Sequence, residues 1–446
     1  MGLLIGAGIL YAAAPSLGLG GAASTSYVTT TVTPSNAKAS GLCNGQTVTI
    51  GALNDLSGGL SAQGKGELAA EQLAIQDVNS FVQSSGCSLT FALNNQDYKL
   101  DTPTALSELQ AMAASGIQVV VGPLNSGATA GVLSYADQNH IVLISPSATS
   151  IALAIPNDYL FRTAPDDAAQ GQADAKELLT AGAKAVIVVN RDDTYGDGLA
   201  NSTVTWLKLD DPSIVIGGPT KYDTTTTDFT SIISTMSSEY TSLSSQVGAA
   251  NVAIYIVAFQ EYGSILSQVN TQAPSLLSTA LPWFGMDGIA QNSDLSNSSS
   301  AVASIAAKVG VYSTLFGVLS NNSKASAFYS RIEGTSAGAA ILGGGAFYTF
   351  EGYDDVWLAA LAILQSGQNS GQAIQAVMLT VADNFYGLTG AETLNANGDR
   401  ALFDGSGYQI WKVVANGASS WEWVLAGQWD YATNQVTNPT GGTLTF

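Results

Sequence analysis

Basic residues are scarce in this chain. Lys and Arg number 14 against 34 Asp and Glu, a formal charge of −20. So few cations cannot displace counterions from a phosphate backbone, which argues against nucleic acid as a partner. Histidine occurs once, as His140, and cysteine twice, so a Cys/His metal cluster is excluded. No Gly-Lys-Ser/Thr phosphate loop is present, and the Gly-rich LGGGA at 342–346 reads as a close-packing or loop feature. A Ser-His-Asp centre would depend on His140, which immediately precedes an apolar run and so falls at the end of that strand away from any crevice. An enzyme is therefore not expected, nor a metal or other cofactor. Charge of either sign is absent before Lys38 and only 11 % overall, so hydroxyls and amides must wet most of the surface.

What the chain does have is apolar material. With 446 residues and 46 % hydrophobic content it can build two packed cores. Its first 23 residues are apolar and Gly/Ala-rich, without the basic start of a secretion signal and interrupted by Pro15. We expect residues 1–23 to be a retained signal or anchor segment and 24–44 a Ser/Thr-rich stalk, attaching the protein to a membrane or surface assembly through residues 1–35. An extracellular, cell-surface location fits the N-x-S/T sequons at Asn201, Asn297 and Asn321, which are candidate glycosylation sites. It also fits Cys43 and Cys87, each just ahead of an expected strand (47–53 and 88–92). If those strands are neighbours in a parallel sheet, a disulfide is geometrically reasonable and requires an oxidising compartment.

The most informative stretch is 117–150, IQVVVGPLNSGATAGVLSYADQNHIVLISPSATS. Two apolar runs, 119–121 and 141–144, flank a helical pattern over 129–139, the signature of a βαβ unit. Ligands of such sheets bind outside the carboxyl ends of the strands. Those ends carry Asn125 and Ser126 on one side and Ser147, Ala148 and Thr149 on the other. Hydroxyls, backbone N–H groups and a helix amino end converge there, an arrangement that suits a carboxylate. Strands and helices alternate through residue 150, and the pattern restarts near 161–165 with further units to about 287. The fold class is α/β, with two Rossmann-like, doubly wound lobes that form a cleft able to close on a small molecule.

At this point the motifs resemble a family. IGALNDLSGGLSAQGKGELAAEQLAIQDVN (50–79), VVVGPLNSGATA (119–130), ISPSATS (144–150), FRTAPDDAAQGQADA (161–175), DDTYGDGLA (192–200), TTDFTSII (226–233), GYDDVWLAALAI (352–363) and LTGAETLNANGDR (388–400) stand in the order found in extracytoplasmic solute-binding proteins of ABC transporters. The class is the branched-chain amino-acid (Leu/Ile/Val) one, with the type I periplasmic-binding-protein fold. The resemblance implies discontinuous lobes joined by three crossings, near Ala164, Ser313 and Gly387. Lobe 1 would then hold 45–164 and 314–386, and lobe 2 would hold 165–313 and 387–446.

The resemblance also assigns roles. Ser126 and Thr149, with the backbone around Ser147, would hold a ligand α-carboxylate. Asp287 would meet the α-ammonium where the family more often has Glu. Tyr195 would line the cleft, and Phe259 and Gln63 the side-chain pocket. The implied activity is capture of an amino acid or similar small zwitterion and its delivery to a membrane ABC permease. The alternative is a structural surface or filament subunit that retains the binding fold. The sequence leaves the solute and any homo-oligomer open.

Overall fold

Short continuous apolar runs ending in small polar residues, alternating with amphipathic helices, fold as two stacks of βα units. The computed structural model describes residues 35–298, 300–318, 322–403, 405–442, 444 and 446. The expected anchor at 1–23, the stalk up to residue 34 and Asn321 lie outside them.

The first stack runs α1 (Ser35–Ser40), β1 (Thr47–Asn54), α2 (Ser61–Ser84), β2 (Thr90–Asp97), α3 (Thr102–Ala114), β3 (Val119–Val121), α4 (Ser126–Asn139), β4 (Val142–Ser145) and β5 (Leu160–Arg162). Its five strands are all parallel, in the order β2-β1-β3-β4-β5. Burial of every residue in the Val119–Val121 strand explains its unbroken β-branched run.

The second stack runs α5 (Asp167–Thr180), β6 (Ala185–Arg191), α6 (Thr194–Asp210), β7 (Val215–Tyr222), α7 (Thr230–Val247), β8 (Val252–Val257), α8 (Glu261–Gln272), β9 (Trp283–Gly285), α9 (Ala301–Val309) and β10 (Tyr312–Val318). Helices α10 (Ser323–Ile332), α11 (Ser336–Gly343), α12 (Ala346–Ser366) and α13 (Gly371–Asp383) follow. Helices α12 and α13 return to the first lobe, where Leu358, Leu361, Ile374 and Met378 pack against Ile50, Val119 and Val142. The chain ends in an antiparallel ribbon of β11 (Ser406–Ala415), β12 (Trp421–Asp430) and β13 (Gln435–Thr437) that extends the second sheet to the order β13-β12-β11-β10-β9-β8-β6-β7.

Cys43 and Cys87 are bonded, with Cα atoms 4.7 Å apart. They sit beside the paired starts of β1 and β2, where Thr47 faces Thr90. Closing a loop of that length contributes about 4 kcal/mol on the chain-entropy account. The bond also corrects the expected stalk, because residues 35–44 are folded. Ala37 is buried, Leu42 joins the lobe 1 core, and Asn36 Nδ2 donates to Gln365 O at the end of α12 (2.6 Å). Apolar residues near a covalent staple dock rather than extend.

Two expected lobe boundaries also shift. Strand β10 lies wholly in the second sheet, so the second crossing follows Val318 rather than Ser313. Residues 388–400 stay with lobe 1, because Arg162 N donates to Gly398 O (2.8 Å) and Arg400 N to Arg162 O (2.9 Å). The third crossing therefore lies between Arg400 and Ser406, beyond Gly387. The first crossing, between β5 and α5, runs beside this segment.

Two buried guanidinium groups bind these strands of the hinge together. Arg162 Nε pairs with Asp399 (2.6 Å) while its Nη1 donates to Ala148 O and Ser150 O. Arg400 Nη1 reaches Glu351 (2.9 Å), Glu392 (2.5 Å) and Thr163 O (2.9 Å). The Glu351, Asp354 and Glu392 carboxylates lie close enough together to hold a metal ion. Arg400 supplies a cation there already.

Candidate functional site

The carboxyl ends of β3 and β4 face the second lobe across a closed cleft. Ser150 Oγ donates to Thr194 O of the opposite lobe (3.0 Å), and Tyr348 Oη, at the start of α12, donates to Asp287. Between them is a narrow cavity lined by Leu60, Gln63, Leu124, Asn125, Ser126 and Ser147 from one side, Tyr195, Phe259, Asp287 and Gly288 from the other, and Tyr348.

Ser126 is the first residue of α4 and lines the cavity, so the amino end of that helix, with its unpaired N–H groups, lies beside it. Its Oγ accepts from Ser150 N (3.1 Å), which leaves the hydroxyl proton to be donated elsewhere. Asn125 is fixed by Tyr98 Oη, which donates to its Oδ1 (2.8 Å). Ser147 Oγ donates to Leu124 O (2.9 Å) and accepts from Gln63 Nε2 (2.8 Å). Gln63 Nε2 also donates to Glu67 Oε1 (2.8 Å), so this side chain is oriented by two acceptors.

Opposite stands Asp287, in the short helical turn after β9. Tyr195 Oη (2.6 Å) and Gln170 Nε2 (3.0 Å) donate to its Oδ1, and Tyr348 to its Oδ2. Burial raises its pKa, while these donors and the Gly288 backbone oppose the rise. The Tyr195 ring stacks on Phe259 at 5.1 Å, and the Arg191 guanidinium covers Phe259 3.8 Å from its ring centre. A polar floor beneath two aromatic walls is thus set rigidly around one carboxylate.

Seven of the nine sequence-predicted site residues meet at this cavity: Gln63, Asn125, Ser126, Ser147, Tyr195, Phe259 and Asp287. Ala148 and Thr149 do not line it. The Ala148 N–H is used by Ser145 Oγ (3.1 Å) and its carbonyl by Arg162, which fixes the hinge. Thr149 Oγ1 is buried beside the Asp167 carboxyl, which it helps to ionise, without a full hydrogen bond to a described partner. Burial and the nearby Asp287 charge nonetheless hold the Asp167 pKa well above the usual carboxylate range.

Tyr348 and Gln170 were not read from the sequence. Tyr348 follows the Gly343–Gly344–Gly345 run, whose purpose is close approach: a Cβ on Gly344 would lie 2.7 Å from Ala62 O. That run brings the start of α12 against α2 and over the cavity, and was the available signal. Asn201 and Asn297 are exposed, as modification would require. His140 caps the far end of α4, at the start of β4 and away from the cleft.

Residues 66–416 match the sequence profile of the receptor family ligand binding region. An uncharacterised protein of Methanocaldococcus jannaschii is 28 % identical over 407 residues, 87 % of this chain and 91 % of its own. The leucine-specific-binding protein of Salmonella typhimurium is 29 % identical over 170 residues, 38 % of this chain; the match spans 46 % of that protein. Among solved structures, the LivJ substrate-binding protein of Streptococcus pneumoniae in complex with isoleucine superposes with a TM-score of 0.62 at 23 % identity, covering 85 % of this chain and 99 % of its own. The leucine-binding protein LivK of Thermotoga maritima does so with 0.64 at 18 %, covering 88 % and 99 %.

Proposed function

Because the chain belongs to the receptor family of ligand binding regions, as a type I periplasmic binding protein of the branched-chain amino-acid class, we propose that it captures an amino acid or similar zwitterion between its lobes and hands it to an ABC permease. It binds rather than catalyses. The observation that carries this reading is the polarity of one small cavity: hydroxyl and helix-end donors around Ser126 on one wall, and the Asp287 carboxylate on the other. Such a pair of walls matches a dipolar guest end to end, and each hydrogen bond to a charged group contributes roughly 1.5–3 kcal/mol. The disulfide supports a site outside the cytoplasm. Among the described residues no helix is long and apolar enough to cross a membrane, and attachment through residues 1–35 is part of the proposal.

Calorimetric titration of the purified protein with amino acids tests the reading. Ser126→Ala is expected to weaken every carboxylate-bearing guest by roughly 10-fold or more, from the hydrogen-bond range above. Asp287→Asn keeps the tyrosine partners but removes the charge, and is expected to weaken guests with an amine while sparing carboxylates that lack one. Unchanged affinities in both variants would place the site elsewhere.

A further inference from the structure

The cavity between Ser126 and Asp287 is not closed on all sides. A second chamber adjoins it, sharing Leu60, Gln63, Asp287, Gly288 and Tyr348 with the first. A guest held between Ser126 and Asp287 would direct its side chain into that chamber. The near part is apolar, with Leu60, Ala290 and Leu315. Its outer part is amide and acid, with Gln260, Asn292 and Asp294. Asp294 is held in place: Gln260 Nε2 donates to its Oδ2 (2.6 Å), and Asn292 Oδ1 accepts from its N–H (2.8 Å). Neither chamber is lined by a Lys, Arg or His among the described residues, and both of the acids that line them are Asp.

From this arrangement we infer that the preferred guest is an amino acid whose side chain has an aliphatic stem and a cationic end, as in arginine or lysine. This rests on the zwitterion reading and adds the side-chain class. The stem lies along the Leu60, Ala290 and Leu315 surface, and the cation meets Asp294 at the mouth. A wholly apolar side chain of branched-chain size would fill the near part and leave the amide and acid end in water. Long cationic side chains keep apolar stems buried and heads hydrated in just such graded surroundings.

Titration of the intact protein with L-arginine, L-lysine, L-leucine and L-glutamine at low and high salt tests the inference. Arginine or lysine is expected to bind about 5-fold more tightly than leucine. Asp294 is exposed, so Asp294→Asn is expected to cost the cationic guests only about 5-fold, and leucine nothing. Added salt should shrink the cationic preference in the native protein and not in the variant. Leucine binding more tightly than arginine, or equal losses for both in Asp294→Asn, overturns the inference while leaving zwitterion capture intact. Failure of all four to bind overturns the zwitterion reading itself.

Discussion

The protein is expected to be markedly more stable at pH 4 than at pH 8, the reverse of the common pattern for paired carboxylates. Glu71 shows why. It lies on the inner face of α2, fully buried, with Asn54 Nδ2 donating to Oε2 (2.9 Å) and no partner for Oε1 among the described residues. Glu67, one turn earlier, and Asp355, on α12, add like charge nearby. Burial pushes the Glu71 pKa up to about 8 from an ordinary value of 4.5. An unfolded chain releases this proton first, so the folded state loses ground as pH rises from about 4.5 to 8, and the loss is complete above that. The 3.5-unit difference corresponds to on the order of 5 kcal/mol.

Asp158, raised to about 7 by burial, acts in the same direction, as do Glu67 and Asp355. Denaturant midpoints measured from pH 4 to 8 check the trend. Glu71→Gln keeps an acceptor for Asn54, so it should raise the midpoint at pH 8 and leave it nearly unchanged at pH 4. A midpoint that is flat or rises with pH would contradict this account.

Arg400→Met is expected to destabilise the protein by roughly 3–5 kcal/mol at neutral pH, the usual effect of removing one partner from a buried ion pair. Arg400 is fully buried and bonds both Glu351 and Glu392, whose side chains have no exposure. Without the guanidinium, two carboxylates face each other and Asp354 inside the hinge. The loss should shrink at pH 4, where those acids can take up protons, and thermal or denaturant unfolding at the two pH values measures the difference. Lys221 offers the contrast: it pairs with Asp192 and Asp197 but is 46 % exposed, and Lys221→Ala should move the midpoint little. Equal effects of the two substitutions would show that the hinge pair is solvated.

Much of the architecture was legible because the alternation of short apolar runs and helical patterns is local. Strands 47–54, 119–121 and 142–145 lie where, or within a residue or two of where, the pattern placed them. Strand β10 and helices α9, α10, α11 and α13 were not placed. Only α11, SAGAAILG, lacks a clear apolar face; α9, α10 and α13 each carry one, with Phe328 and Ile332 buried on α10 and Ile374, Met378 and Val381 on α13, so the pattern for these three was present in the sequence and was missed. Site residues on strand ends, Ser126 and Ser147 among them, were readable because parallel sheets put function there. Tyr348 was not, because its partner Asp287 lies 61 positions away and on the other lobe. Thr149 has the right residue type at the right turn, but its side chain faces Asp167 rather than the cavity.

Helix α12 has one end at the cavity, through Tyr348, and the other at Gly367, against Asn36 and Ser40 of α1. At 1.5 Å per residue the two ends are about 30 Å apart. Helix α1 is therefore pinned at the pole of lobe 1 opposite the cavity, so that whatever touches α1 there leaves Tyr348 and its wall of the cavity unobstructed.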